Sequence, residues 1–402
     1  MRLTRGHRAA LCTIAAAVLY LIGLGRPALW EPDEGRYAEV AREMVMTGDY
    51  VTPRNDWVRY FEKPPLVYWI TAESLRLFGD NEFAARSQAA LFSAGQVGIT
   101  EALGEAMFGI SAGLFAAIAL ALSPLFFVFA RFATPDPALA FFFTAALAAF
   151  YAAAKAPAFV RGCGRLWMAS AAAMLALGTL AKGPVALVLA GAIALAWLII
   201  EGRARESLRM PWLSCAAIYL AIALPWFVVA ARRNPDFLAF YVIHEHLHRY
   251  LANTEHGWGP WFFIPVVIAG TWPWFYFIPL GVWPSCGDTE GIAGVSRDRR
   301  SSLRFLLLWF AIVLVFFSIP RSKLGEYILP AIPPLAIIAG VGLARLNYSS
   351  RRTRLLFGLL VINGFIAIAA IAAAIFLGSR LSSSLRIDLI VAALALPAGS
   401  GL

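Results

Sequence analysis

Charge is what this 402-residue chain has least of: Asp, Glu, Lys and Arg make up 14% of it, against 60% hydrophobic residues and a mean hydropathy of +0.70. Soluble domains run near a quarter charged, so an ordinary water-soluble fold is excluded and a polytopic membrane protein is indicated. Cysteine is also scarce. Cys12, Cys163, Cys215 and Cys286 never pair by spacing, which removes both a disulfide framework and a thiolate metal site. No GxGxxG or GxxxxGK[ST] loop occurs, so a nucleotide donor has no support. The basic N-terminus MRLTRGHR leads into an apolar run without an Ala-x-Ala cleavage pattern, and we read that run as a retained first span. No internal repeat or soluble linker stands out.

What is present is apolar runs long enough to cross a bilayer as helices, each needing about 20 residues. They fall near residues 9–25, 87–108, 112–133, 137–155, 166–181, 184–201, 212–231, 260–283, 304–320, 328–345, 354–378 and 387–402. The expected fold is therefore an all-α integral membrane protein of about 11 or 12 transmembrane helices. One transmembrane domain would cover 1–402, with a juxtamembrane segment at 26–86, a loop at 232–259 and no C-terminal periplasmic domain. With the N-terminus inside, short loops carry 17 basic residues inside against 9 outside, which orients the chain and accounts for a net charge of +10 without a nucleic-acid partner.

That orientation gathers the unusual polar groups on the outer side. Asp33 and Glu34 follow the first span in WEPDEGRYAEVAREM; Glu62 and Lys63 sit in FEKPPLVYW; Asp136 sits in RFATPDPAL. Lys182 lies in GTLAKGPVAL, His246 and Arg249 in YVIHEHLHRYL, and Lys323 and Tyr327 in PRSKLGEYILP. Each has a structural alternative. Asp33 and Asp136 are both plausible helix N-caps, and GRYAEVAREMV reads as an interfacial amphipathic helix with Tyr37, Val40, Ala41 and Met44 on one face and Arg36, Glu39 and Glu43 opposite. Glu62–Lys63 can be a surface ion pair, and the His-Glu-His-x-His run lacks the helical HExxH spacing. Lys182 is the hardest to explain structurally, because an ammonium between two apolar runs is costly unless it meets an anion. Carboxylates beside fixed cations above a membrane suit transfer of a sugar from a lipid phosphate, the cations taking up charge on the leaving group.

In order, EPDEGRYAEVAREMVMTGDYVTPRND, FEKPPLVYW, RFATPDP, LAKGPVALVL, the EHLHRY segment and SKLGEYILPAIPPLAI resemble the bacterial lipid A aminoarabinose transferase family, over residues 10 to about 345. That family sits within the protein-mannosyltransferase-like glycosyltransferases of the C-type fold. The resemblance implies amphipathic periplasmic juxtamembrane helices after the first span and a multi-pass inner-membrane enzyme, monomeric, with its site facing the periplasm. A polyprenyl-phosphate sugar would be the donor and lipid A or another envelope molecule the acceptor. It further implies catalytic roles for Asp33, Glu34 and Asp136, donor-phosphate contacts for Lys63, Lys182, Arg249, Tyr327 and Lys323, and a divalent metal ion held by Glu62 and His246. The alternatives are transfer to protein or another glycan, and a sugar-lipid transporter. A transporter would place its polar groups at the bilayer midplane in paired half-repeats rather than at one rim.

Overall fold

The structure is a computed structural model that describes residues 3–156, 162–241, 257–282, 293–346 and 358. Its helices begin with α1 (Arg5–Leu21), α2 (Asp33–Thr47), α3 (Leu66–Phe78), α4 (Glu82–Phe108), α5 (Ile110–Ala121) and α6 (Pro124–Phe129). They continue with α7 (Asp136–Lys155), α8 (Cys163–Lys182), α9 (Val185–Ile200), α10 (Ala204–Ser207) and α11 (Trp212–Arg233). Helices Phe263–Gly270, Ile278–Val282, Ala293–Ser318 and Ile332–Ala344 follow. Among the described residues, five helices are long and apolar enough to cross a membrane: α7, α8, α11, Arg297–Ser318 and Gly325–Ala344. The expected spans at 354–378 and 387–402 lie outside the described residues.

Two expected spans are broken, both at proline. The run at 112–133 divides into α5 and α6, with Pro124 in the first turn of α6. The run at 260–283 bends by 92° between Phe263–Gly270 and Trp274–Val282, on either side of Pro273. Proline lacks the N–H and its ring meets the preceding turn, so a continuous helix fails there although hydropathy alone reads through.

Packing separates two kinds of helix. The central helix α7 contacts α4, α8 and α9, and 78% of its apolar window is buried, whereas for α11 the share is 17%. Leu213, Leu220 and Leu224 of α11 stay exposed, as lipid-facing leucines do in a protein whose solvent on that side is hydrocarbon. Between α1 and α4, the backbones approach so closely that a Cβ on Gly98 would stand 2.1 Å from Thr13 Oγ1 and 2.8 Å from the Ala9 carbonyl oxygen. Small residues permit this contact, which aligns the two helices along their length.

The stretch between α1 and α4 forms a compact cap. Helix α2 starts just after Pro32 with Asp33 and Glu34 in its first turn, where acids favour the helix dipole, and stops at Gly48 in the left-handed region (φ 69°). Val40, Ala41 and Met44 of α2 pack on Tyr68, Ala72 and Leu75 of α3. A short hairpin, Arg54–Asn55 paired with Val58–Arg59, lies against the same helix. Its two-residue turn holds Asp56 (φ 52°) and Trp57 (φ 65°) in the left-handed region, as a hairpin of matching twist requires. The amphipathic reading of α2 holds for the apolar side but not for Glu43, which is 1% exposed and faces the hairpin.

Candidate active site

The site is assembled around a buried ion pair. Arg86 of α4 donates to Glu34 through Nε (2.7 Å to Oε1) and Nη2 (2.6 Å to Oε2), a bidentate pair with both side chains buried. The same guanidinium also donates to the carbonyl oxygens of Leu24, Pro27 and Ala28, fastening the end of the first helix. Glu34 accepts two more bonds, from the Trp30 N–H (2.9 Å) and the Ala133 N–H (2.8 Å). Ala133 lies in the turn that leads to Asp136. Arg131, in the same turn, donates to the Tyr20 and Ile22 carbonyl oxygens, and the Gln88 amide donates to the Thr134 carbonyl oxygen. Each nitrogen of the Arg86 guanidinium donates, as burial of charge demands.

The turn delivers Asp136 to the first residue of α7, where it does not cap the helix. Its carboxylate receives the ammonium of Lys182, the last residue of α8, instead. The pair is nearly buried, with side-chain exposures of 4% and 14%. The ring of Tyr327 stands 4.4 Å from Lys182 Nζ, a cation–π contact. Glu326, next to Tyr327, interacts electrostatically with Asp136, Lys182 and Asp33, so residues from α2, α7, α8 and the 3₁₀ turn Gly325–Ala331 meet in one place.

Asp33 opens α2 without a side-chain cap, and among the described residues it makes no hydrogen bond or ion pair. Tyr37, one helical turn on, sits inside the cluster: burial pushes its hydroxyl well above the usual range, with Tyr60, Asp136, Asp33 and Tyr327 adding to the rise. Its ring lies 6.1 Å from that of Tyr68. Tyr60 is raised as well, first by burial and then by Glu62, against the opposing pull of Arg36. Glu62 and Lys63 are half-buried, and Lys63 donates to the Glu62 carbonyl oxygen at 3.1 Å. Phe61 anchors this segment, its ring 5.0 Å from Phe237 in an apolar cluster with Leu180 and Trp226.

Two expectations are corrected. Glu34 is not a rim acid beside Asp33. It is 0% exposed and its oxygens are taken by Arg86 and the Trp30 and Ala133 N–H groups, which ties the start of α2 to the turn before Asp136. Lys323 is 2% exposed and its ammonium donates to the carbonyl oxygens of Trp258 and Pro320. It therefore braces the bridge between Gly257 and Ser322 instead of joining Lys182. His246 and Arg249 lie outside the described residues. Sequence reasoning missed Arg86 and Glu326 and left Tyr37 as helix-face packing. Arg86 carried a readable signal, a lone cation entering an apolar helix, whereas Glu326 differed in no way from a surface acid.

Residues 62–228 match the family described as dolichyl-phosphate-mannose-protein mannosyltransferase. The chain is 32% identical over 384 residues to an undecaprenyl phosphate-alpha-4-amino-4-deoxy-L-arabinose arabinosyl transferase of Serratia proteamaculans, covering 95% of this chain and 67% of the relative. It is 33% identical over 370 residues to a second such transferase, of Pseudomonas fluorescens, covering 91% of this chain and 61% of that relative. The chain thus spans about two thirds or less of the length of these relatives. Among solved structures, ArnT from Cupriavidus metallidurans bound to undecaprenyl phosphate superposes with a TM-score of 0.77 at 29% identity, over 96% of this chain and 75% of that one. An archaeal oligosaccharyltransferase from Archaeoglobus fulgidus shares the fold at a TM-score of 0.50 and 12% identity.

Proposed function

The chain belongs to the family of undecaprenyl phosphate-alpha-4-amino-4-deoxy-L-arabinose arabinosyl transferases, and on that premise we propose that it moves an aminopentose from a polyprenyl-phosphate donor to lipid A, at a site open to the periplasm. The observation that carries this reading is the Asp136–Lys182–Tyr327 group beside the carboxylate of Asp33, which has no ion-pair partner among the described residues. An ammonium fixed between a carboxylate and an aromatic face, in a largely desolvated place, is suited to a lipid phosphate at the outer edge of the bilayer.

In the proposed reaction an oxygen of a lipid A phosphate attacks the anomeric carbon of the sugar. The bond from that carbon to the polyprenyl-phosphate oxygen breaks, and its electron pair leaves with the polyprenyl phosphate. Lys182 and Lys63 take up the charge gathered on the departing phosphate. Asp33 faces the positive charge that develops at the anomeric carbon, and Tyr37 and Tyr60 wall the sugar. A phosphate acceptor is already a nucleophile, so this route needs no strong base.

The match of residues 62–228 to the protein mannosyltransferase family favours a second reading, with a hydroxyl acceptor on protein or glycan. There Asp33 would have to remove a proton. Mass spectrometry of lipid A from cells expressing the chain or its Asp33→Asn variant decides between them. A pentosamine increment seen only with the unaltered chain supports lipid A transfer. Unmodified lipid A together with a sugar on envelope protein supports the second reading.

A further inference from the structure

Away from this site, three carboxylates converge where α2 meets the hairpin. Glu39 and Glu43 stand one helical turn apart on α2, and Asp56 occupies the hairpin turn. One carboxylate oxygen from each lies within 4.8 Å of the others. Acids four residues apart on one helix face repel, and a third carboxylate folded onto them adds to that cost.

The partners nearby leave this charge unbalanced. Arg42 donates to both oxygens of Glu39, at 2.7 and 2.8 Å. Glu43 accepts the Trp57 N–H at 2.9 Å through Oε1, but its Oε2 is buried with no hydrogen-bond donor among the described residues, in a residue only 1% exposed. A buried carboxylate oxygen with no donor is expensive, and native structures seldom leave one so. Among the described residues, one guanidinium is hydrogen-bonded to these three carboxylates, an excess of negative charge that suits a divalent cation.

We propose that Glu39, Glu43 and Asp56 form a divalent-cation site that takes Ca²⁺ and pins the hairpin turn to α2. The donor set is oxygen only, which suits a hard cation. Ca²⁺ accepts irregular geometry and fills its remaining positions with water, here from the exposed Asp56 side. Glu39 keeps its bonds to Arg42, since each carboxylate oxygen offers a second lone pair. The ion joins two segments with different attachments: α2 begins at Asp33, and the hairpin runs on through Tyr60 to Glu62 and Lys63.

The test is isothermal titration of CaCl₂ into the detergent-purified full chain, with melting curves taken with and without Ca²⁺. We expect one saturable Ca²⁺ per chain with a dissociation constant of about 10⁻⁴ to 10⁻³ M, together with a raised melting temperature. Asp56→Asn should weaken binding by about tenfold or more, Glu43→Gln should abolish it, and Glu73→Gln, an exposed acid of α3, should leave it unchanged. Absence of saturable binding overturns the proposal, as does equal binding by the wild type and Asp56→Asn. So does a Glu43→Gln chain that melts at or above the wild type in Ca²⁺, because the orphan oxygen would then be satisfied by a proton. Should Glu43→Gln fail to fold, the exposed Asp56→Asn variant decides alone.

Discussion

Glu34 and Arg86, 52 residues apart, form a bidentate ion pair with both side chains buried. Through the Ala133 N–H, this pair sets the start of α2 against the turn that carries Asp136, so two outer acids take their separation from a third that is hidden.

Removing one partner strands the other charge in the interior. Glu34→Gln or Arg86→Met should each cost about 3–5 kcal/mol, and the double substitution should be less harmful than the sum of the two. Melting curves of the two single variants and the double variant measure this. Additive losses would mean that the pair is not a unit.

At the proposed reacting centre, Asp33→Asn should abolish sugar transfer while the protein stays folded and inserted, because Asp33 makes no hydrogen bond or ion pair within the described residues. Turnover on a polyprenyl-phosphate aminopentose, measured beside a melting curve, reads both effects. Near-normal turnover would remove Asp33 from the mechanism.

Lys182 and Tyr327 should show their roles in donor use. Lys182→Met should raise KM for the polyprenyl donor more than KM for the acceptor. Tyr327→Phe keeps the ring over Lys182 and should be milder than Tyr327→Leu, which loses a contact of about 0.5–2 kcal/mol, or a few-fold to about thirtyfold in donor affinity. Equal effects of the two tyrosine substitutions would argue that the ring does not act on the ammonium.

Asp49 gives the cap an acid-sensitive tie. Burial acts to raise its pKa, but the Thr52 and Val51 N–H groups and Arg54 outweigh burial, and the net shift is downward. A carboxylate depressed in the folded state contributes stability above its unfolded pKa of about 3.9, and that contribution disappears as pH falls through the folded value. Melting temperature followed from pH 6 downward should therefore drop more steeply below about pH 4 in the wild type than in Asp49→Asn. Parallel curves would show that Asp49 is not the tie.

Much of the architecture is legible in the sequence. Apolar runs far above the composition of a soluble protein lead directly to helices crossing a bilayer, because lipid leaves the backbone no other way to satisfy its own hydrogen bonds. The positions of α7, α8, α9, α11 and Gly325–Ala344 follow from those runs, and the ordered motifs around Asp33, Glu62, Asp136, Lys182 and Tyr327 point to one family. The breaks at Pro124 and Pro273 were visible as residues but not as bends, since hydropathy averages over a proline.

Tertiary structure alone decided which charged residues share a site. Glu34 and Asp33 are neighbours in sequence, yet one is sealed against Arg86 and the other has no ion pair among the described residues, because successive residues on a helix point about 100° apart. Lys323 and Tyr327 are four residues apart in sequence, yet only Tyr327 meets Lys182, while Lys323 is bound by carbonyl oxygens. Sequence determines that such groups must find partners in a low-dielectric interior. Which partner each finds depends on how helices distant along the chain pack, and no local pattern of residues encodes that.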